Sequence, residues 1–251
     1  LVAVIDAHCH LDFKHFNKDR MDVIERARAA GVVEMINSGV DLQTNRETLK
    51  LARSHEFIHA TLGLSPNSLD RMRPGDVDLV LDEIRQNSRE IIGVGEAGLD
   101  YYRCSDPALR KQQVEVFRKV IQLAEELDKP LVIHARDTED MAFDIVKDLG
   151  KVVFHCYSGS LETMRKIVDR GFYVSIATVV CRSVKHQALA RSVPVDQLLL
   201  ETDSPFLSPR RGRNEPSFIL DSLNLIARIR GMEPEELARA TVRNTRRIYG
   251  M

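Results

Sequence analysis

Two imidazoles spaced i, i+2, His8 and His10, close the N-terminal stretch Val-Ala-Val-Ile-Asp-Ala-His-Cys-His. The β-branched and apolar run before them, Val2–Ile5, reads as a buried parallel strand, and residues two apart on an extended chain point the same way. The same event recurs along the chain. Ile91–Val94 leads to Glu96, Leu131–Ile133 to His134 and Val152–Phe154 to His155, while Leu198-Leu199-Leu200 runs through Glu201 and Thr202 to Asp203. Apolar strands that end in ligand-type residues predict a ring of strands delivering His8, His10, Glu96, His134, His155 and Asp203 to one mouth. Four imidazoles and two carboxylates suit first-row divalent ions such as Zn²⁺, Mn²⁺ or Fe²⁺, and Mg²⁺ where waters and phosphates add oxygen donors. Six ligands exceed what one catalytic ion takes while keeping a position open. Two divalent metal ions (Mg, Mn or Zn) bridged by Glu96 are therefore expected. Asp203 is assigned as ligand and as general base toward an attacking water, which makes Glu96 and Asp203 the catalytic pair. Asp6, on the same face and one step deeper, is expected to orient rather than bind. His15, His55, His59 and His186 have no partners in register and read as surface or packing residues.

The elements that must position these groups alternate throughout. Helices are expected over Arg20–Ala30, Leu42–Ser54, Val77–Gln86, Lys111–Leu127, Thr138–Leu149, Leu161–Arg170, Val184–Ser192, Ser217–Ile229 and Pro234–Ile248. Between them lie further strands, Val32–Asn37, Ile58–Leu62 and Tyr173–Ile176, and the eighth opens at Gln197. Eight strand-then-helix units with short connections imply parallel strands and crossover helices, which close into a single (β/α)8 TIM barrel of metal-dependent hydrolase type. A doubly wound open sheet is the structural alternative, but ligands from strands one, four, five, six and eight converge only in a closed barrel.

At 251 residues the chain suits one such barrel, and no linker or repeat divides it, so residues 1–251 are expected to form one domain. A formal net charge of −1 argues against a protein that coats duplex nucleic acid by bulk electrostatics. The four cysteines, Cys9, Cys104, Cys156 and Cys181, show no Cys-x-x-Cys spacing, which fits a reducing compartment, and Cys9 and Cys156, out of strand parity with the neighbouring histidines, are read as packing residues. With no long apolar span or signal-peptide pattern, the expectation is a cytoplasmic protein with no membrane association and no obligatory protein partner.

Nearly end to end, the chain resembles the TatD-related metal-dependent nucleases, a branch of the amidohydrolase-like barrels. The resemblance rests on Asp6-Ala7-His8-Cys9-His10-Leu11-Asp12, Gly95-Glu96-Ala97-Gly98-Leu99-Asp100-Tyr101-Tyr102, Ile133-His134-Ala135-Arg136-Asp137, Phe154-His155-Cys156-Tyr157-Ser158-Gly159 and Glu201-Thr202-Asp203-Ser204-Pro205. Sister branches often carry a carboxylated lysine on the fourth strand, where this chain has glutamate as the TatD group does. The resemblance implies a two-metal phosphodiesterase, commonly a 3′→5′ exonuclease on single-stranded DNA ends. One departure stands out: where the family usually carries Gly-x-His-Pro-His, this chain has Gly63-Leu64-Ser65-Pro66-Asn67. Ser65 and Asn67 retain hydrogen-bonding capacity toward a phosphate but no group that titrates near neutral pH.

Substrate contacts are expected from mouth loops. Arg136 shares the strand parity of His134 and is placed to clamp a phosphate oxygen. Arg210, Arg211 and Arg213, in the loop after the eighth strand, would track a nucleic-acid backbone, and Tyr101 or Tyr102 would stack a base. Two other readings remain: a metal-dependent hydrolase of small amides, esters or phosphoesters, and a non-catalytic nucleic-acid-binding module.

Overall fold

The computed structural model describes residues 2–251. Eight strands, β1 Val4–Cys9, β2 Val32–Ser38, β3 Ile58–Leu64, β4 Gly93–Asp100, β5 Leu131–Arg136, β6 Val152–Phe154, β7 Tyr173–Ile176 and β8 Leu198–Leu200, pair in parallel and in chain order. The seam between β8 and β1 is closed by the segment beyond β8. The Asp203 N–H donates to the His8 carbonyl at 3.0 Å, and the His10 N–H donates to the Ser204 carbonyl at 2.8 Å. The Asp6 carboxylate reinforces this seam by accepting from the Thr202 N–H at 2.9 Å and the Thr202 hydroxyl at 2.6 Å. The barrel thus closes through the residues that carry the proposed ligands.

A polarity gradient runs up the interior. Ile36, Val132, Val153, Tyr173 and Leu199 form an apolar cluster that Ile248 and Tyr249 of the C-terminal helix cover. Two residues further along each of those chain segments, on the same side of the pleat, stand Ser38, His134, His155, Ser175 and Glu201. The lower interior is therefore packed and the upper interior polar. The larger apolar cluster lies between strands and helices.

Two strands depart from simple alternation. Along β4, Val94 and Ala97 face Leu131 and Ile133 of β5, so β4 holds one extra residue there, and it does so against β3 as well. This bulge falls at Gly95-Glu96 and re-aims the Glu96 side chain. A similar extra residue lies in β1 between Asp6 and Cys9, around His8. Sequence reading ended the first strand at Ile5 and the fourth at Val94. Both strands instead run on, to Cys9 and Asp100, so His8 and Glu96 lie within strands rather than beyond them.

The helices are α1 Arg20–Ala30, α2 Leu42–Ser54, α3 Asp76–Gln86, α4 Pro107–Glu126, α5 Glu139–Val146, α6 Leu161–Asp169, α7 Val184–Ser192, α8 Ile219–Arg230 and α9 Pro234–Tyr249. Local chemistry sets several ends. Gly31 stops α1 in a left-handed conformation, while Asp41 and Thr44 form a reciprocal capping box at the start of α2. No helix among the described residues is long and apolar enough to cross a membrane. All four cysteines are free.

Candidate metal centre

Glu96 sits at the centre of the polar mouth. Its Oε2 lies 3.1 Å from His8 Nε2, 3.6 Å from His10 Nε2 and 3.5 Å from His155 Nε2, and its Oε1 lies 3.5 Å from His134 Nδ1. Asp203 Oδ1 is 3.4 Å from His10 Nε2. All six residues expected as ligands are thus brought together. They fall into two groups whose ligand atoms lie within 4.8 Å of one another, His8 with His10 and Asp203, and Glu96 with His134 and His155, and a third group, His8 with His155 and Glu201, overlaps both.

The outer nitrogen of three of the imidazoles is held by a hydrogen bond, while that of His155 faces a carboxylate without bonding it. His10 Nδ1 donates to the Ser38 carbonyl at 2.7 Å. His8 Nδ1 meets the Ser38 hydroxyl at 3.1 Å, and that hydroxyl is tied to Thr61 Oγ1 at 2.7 Å. His134 Nε2 faces Asp100 Oδ2 at 3.1 Å, and His155 Nδ1 faces Glu201 Oε1 at 3.5 Å. An acceptor on the outer nitrogen fixes the proton there and leaves the inner lone pair for a cation, as the partners of metal-binding histidines generally do. Inner nitrogens also crowd each other, 3.3 Å apart for His8 and His10 and 3.2 Å for His134 and His155. Two lone pairs at that separation require positive charge between or beside them. The donor set and its orientation therefore fit divalent ions.

Electrostatics gives the same answer. Burial opposes a proton on His10, yet Asp203 and Glu96 outweigh it and raise its pKa to about 10. His155 is likewise disfavoured by burial but raised to about 9 by Glu201 and Glu96. Burial alone would raise the Glu96 carboxyl, but His155, His8, His134 and His10 hold it well below the ordinary range. Asp203, also opposed by burial, is lowered by its contact with His10 and by the charges of His10, His155 and His8. Without an ion, the carboxylates retain protons on His10 and His155, whereas burial and the charge of His155 disfavour one on His8; a cation takes the place of those protons.

Asp100 and Glu201 are the residues that sequence reading passed over. Asp100 is buried, accepts from Asn67 Nδ2 at 3.0 Å and from the Arg103 N–H at 2.9 Å, and so orients His134. Glu201 is fully buried, accepts from the Ser175 hydroxyl and backs His155. The signal was available, since Asp100 lies four residues beyond Glu96 and Glu201 two residues before Asp203 on extended chain. Asn67 is committed to Asp100 rather than free in the mouth, whereas Ser65 caps the short helix Pro66–Arg71 through the Asn67 N–H at 3.4 Å.

Two of the three arginines in the loop after β8 are paired, contrary to expectation. Arg210 forms a two-pronged pair with Asp221, and Arg213 pairs with Asp19 and donates to the His15 carbonyl, so neither presents a free guanidinium. Arg211 is exposed and makes no ion pair among the described residues. Arg136 is also without an acidic partner there, and its guanidinium lies 3.7 Å over the Tyr102 ring. Tyr101 has Arg110 over its face at 4.3 Å and packs against the core, whereas Tyr102 projects into solvent. His15 is exposed beside Phe206, His55 and His59 lie away from the mouth, and His186 bonds Ser158 and Ser183.

A family model described as TatD related DNase matches residues 5–250. A relative from Methanocaldococcus jannaschii, named an uncharacterized metal-dependent hydrolase, is 40% identical over 251 residues, covering 99% of this chain and 97% of its own. The 3′-5′ ssDNA/RNA exonuclease TatD of Salmonella typhimurium is 34% identical over 262 residues, covering 98% of each. Among solved structures, the TatD homolog YJJV from Escherichia coli k12 superposes with a TM-score of 0.92 at 27% identity, covering 99% of this chain and 98% of that one.

Proposed function

The chain belongs to the TatD-related DNase family of metal-dependent hydrolases, and from that premise we propose that it hydrolyses phosphodiesters, removing nucleotides from the 3′ end of single-stranded DNA. The observation that carries this reading is the convergence of four inner imidazole nitrogens on one buried carboxylate, with the outer nitrogens of His8, His10 and His134 hydrogen-bonded to protein groups and that of His155 facing Glu201. His8, His10 and Asp203 would hold one divalent ion, His134 and His155 a second, and Glu96 both. Bound there, the ions supply Lewis acidity toward a phosphoryl oxygen and lower the pKa of water.

The protein's own groups divide the remaining work. Asp203, held ionised by the surrounding imidazoles, accepts the proton of the attacking water. Arg136, unpaired and two residues beyond His134, grips a non-bridging phosphate oxygen. Asn67 and Asp100 keep His134 in the required tautomer. Ser65 and Asn67 place no titrating group at the mouth after β3, so leaving-group protonation falls to water or to another residue. A small phosphoester, ester or amide substrate is the competing reading that this departure favours.

The test is cleavage of end-labelled single-stranded DNA by chelator-stripped protein, with Mg²⁺, Mn²⁺ or Zn²⁺ restored separately and small ester and amide substrates in parallel. The expected result is metal-restored shortening from the 3′ end that falls at least about 10³-fold in Asp203→Ala, in the range of lost catalytic groups, with an unchanged circular dichroism spectrum. Metal-restored turnover of an amide or ester alone would transfer the assignment to a small-molecule hydrolase.

A further inference from the structure

Of the fourteen phenylalanines and tyrosines, only Tyr102 and Phe206 are exposed, at 63% and 42%. Both stand on loops at the polar mouth, Tyr102 just beyond β4 and Phe206 three residues beyond Asp203. In an eight-stranded barrel closed in chain order, β4 and β8 lie on opposite walls. Single exposed hydrophobic side chains are ordinary on a protein surface, so it is the place of these rings beside the mouth that matters.

Phe206 is the better placed of the two, because it is built in rather than hanging free. Its N–H donates to the Asp203 carbonyl at 2.9 Å, and its carbonyl accepts from Asn214 Nδ2 at 2.6 Å. That same amide also holds the Thr202 carbonyl and Thr178 Oγ1, each at 2.8 Å. The ring meets Phe13 edge to face at 6.0 Å, and Phe13 in turn stacks on His10 at 4.6 Å with an interplanar angle of 19°. His15 adds a further edge at 5.9 Å. A row of aromatic rings thus runs from His10 of the metal centre to an exposed face of Phe206, whose ring centroid is 6.5 Å from that of His10.

We propose that Phe206, backed by Phe13, is the specificity-determining platform on which an unpaired nucleobase next to the scissile phosphate stacks. This rests on the phosphodiesterase reading and names the side chain that meets the terminal base. Bases within a duplex already cover each other's faces and must be unstacked before they reach such a platform, whereas a single-stranded end offers a free face. Stacking on an aromatic ring tolerates every base, so the selection is for strandedness and not for sequence. The rigid backbone around Phe206 means that little ordering is lost when the base arrives.

The experiment compares two 3′-labelled oligonucleotides, one with ordinary terminal bases and one whose terminal nucleotides are abasic, in the metal-loaded wild type, Phe206→Ala, Phe206→Leu and Phe206→Tyr. Phe206→Ala and Phe206→Leu should lose about 5- to 100-fold in kcat/KM on the ordinary strand, the range of base–aromatic stacking. Both should stay within about twofold of wild type on the abasic strand, and Phe206→Tyr should restore the ordinary rate. In a second readout, a terminal 2-aminopurine should be quenched on binding to the wild type and to Phe206→Tyr but not to Phe206→Leu. Equal losses on both strands, no loss on either, or quenching that survives in Phe206→Leu overturns the platform while leaving the phosphodiesterase reading intact. A wild type inert on both strands overturns the phosphodiesterase reading, and the platform with it.

Discussion

At the scale of single residues, the account turns on what each imidazole does with its second nitrogen. His10 and His155 are pulled upward, to about 10 and about 9, by the carboxylates of Asp203, Glu96 and Glu201. At neutral pH these rings carry protons that a divalent ion must displace, so binding releases protons and affinity rises with pH up to those values. The sign is fixed: below the raised pKa values protons win, and above them the ion wins. Titrating Zn²⁺ into metal-free protein in weak buffer should release protons at pH 7 and progressively fewer toward pH 9–10. An affinity that stays flat from pH 6 to 9 would contradict this. Asp100, Glu201 and Ser38 act at one remove, fixing tautomers from behind, and partners of this kind typically matter 10- to 100-fold in metal affinity. Their spacing from the ligands does not distinguish, in sequence, a carboxylate that touches the ion from one that touches only a ligand.

The strands and loops explain why those residues meet. β4 follows β5 closely because of its glycines. A Cβ on Gly98, whose φ is +150°, would stand 2.0 Å from the His134 carbonyl oxygen. Gly98→Ala should therefore cost at least about 2 kcal/mol, combining a positive φ with a backbone clash, and should displace His134. The check is the denaturant midpoint alongside metal affinity, and a midpoint within error of wild type would refute the packing argument. The same glycines made the end of β4 illegible. Beyond Val94 the glycines Gly95 and Gly98 interrupt the apolar run that marks the strand in the sequence, and the bulge at Gly95-Glu96 leaves no compositional trace. Where periodicity and capping act locally, sequence reading located the elements well: α1 Arg20–Ala30, α2 Leu42–Ser54 and β7 Tyr173–Ile176 lie where it placed them. The loop after β8 shows the opposite limit. Its arginines read as a free basic surface, but Asp19 lies far off in sequence and Asp221 on the following helix, and only folding shows that they neutralise Arg213 and Arg210.

For the molecule as a whole, a net charge of −1 and a mouth with few unpaired guanidinium groups limit how substrate is gathered. If Arg136 and Arg211 are the main phosphate contacts, log(kcat/KM) on single-stranded DNA should fall with log[salt] with a slope of about −1.4, from roughly −0.7 per contacted phosphate. A slope steeper than about −3 would imply an extended basic track that the fold does not show. The polar upper interior, the apolar lower interior and the seam closed through Thr202 and Asp203 make the barrel a holder for one charged cluster, fed by five of its eight strands or their ends. The most direct test is the number of divalent ions bound per chain, measured by elemental analysis and calorimetry after chelation and reloading, in the wild type and in Glu96→Ala. Two ions are expected in the wild type and at most one, weakly held, in Glu96→Ala. A wild type that binds no divalent ion at millimolar concentration, or a Glu96→Ala variant that binds two as tightly as wild type, would contradict that expectation.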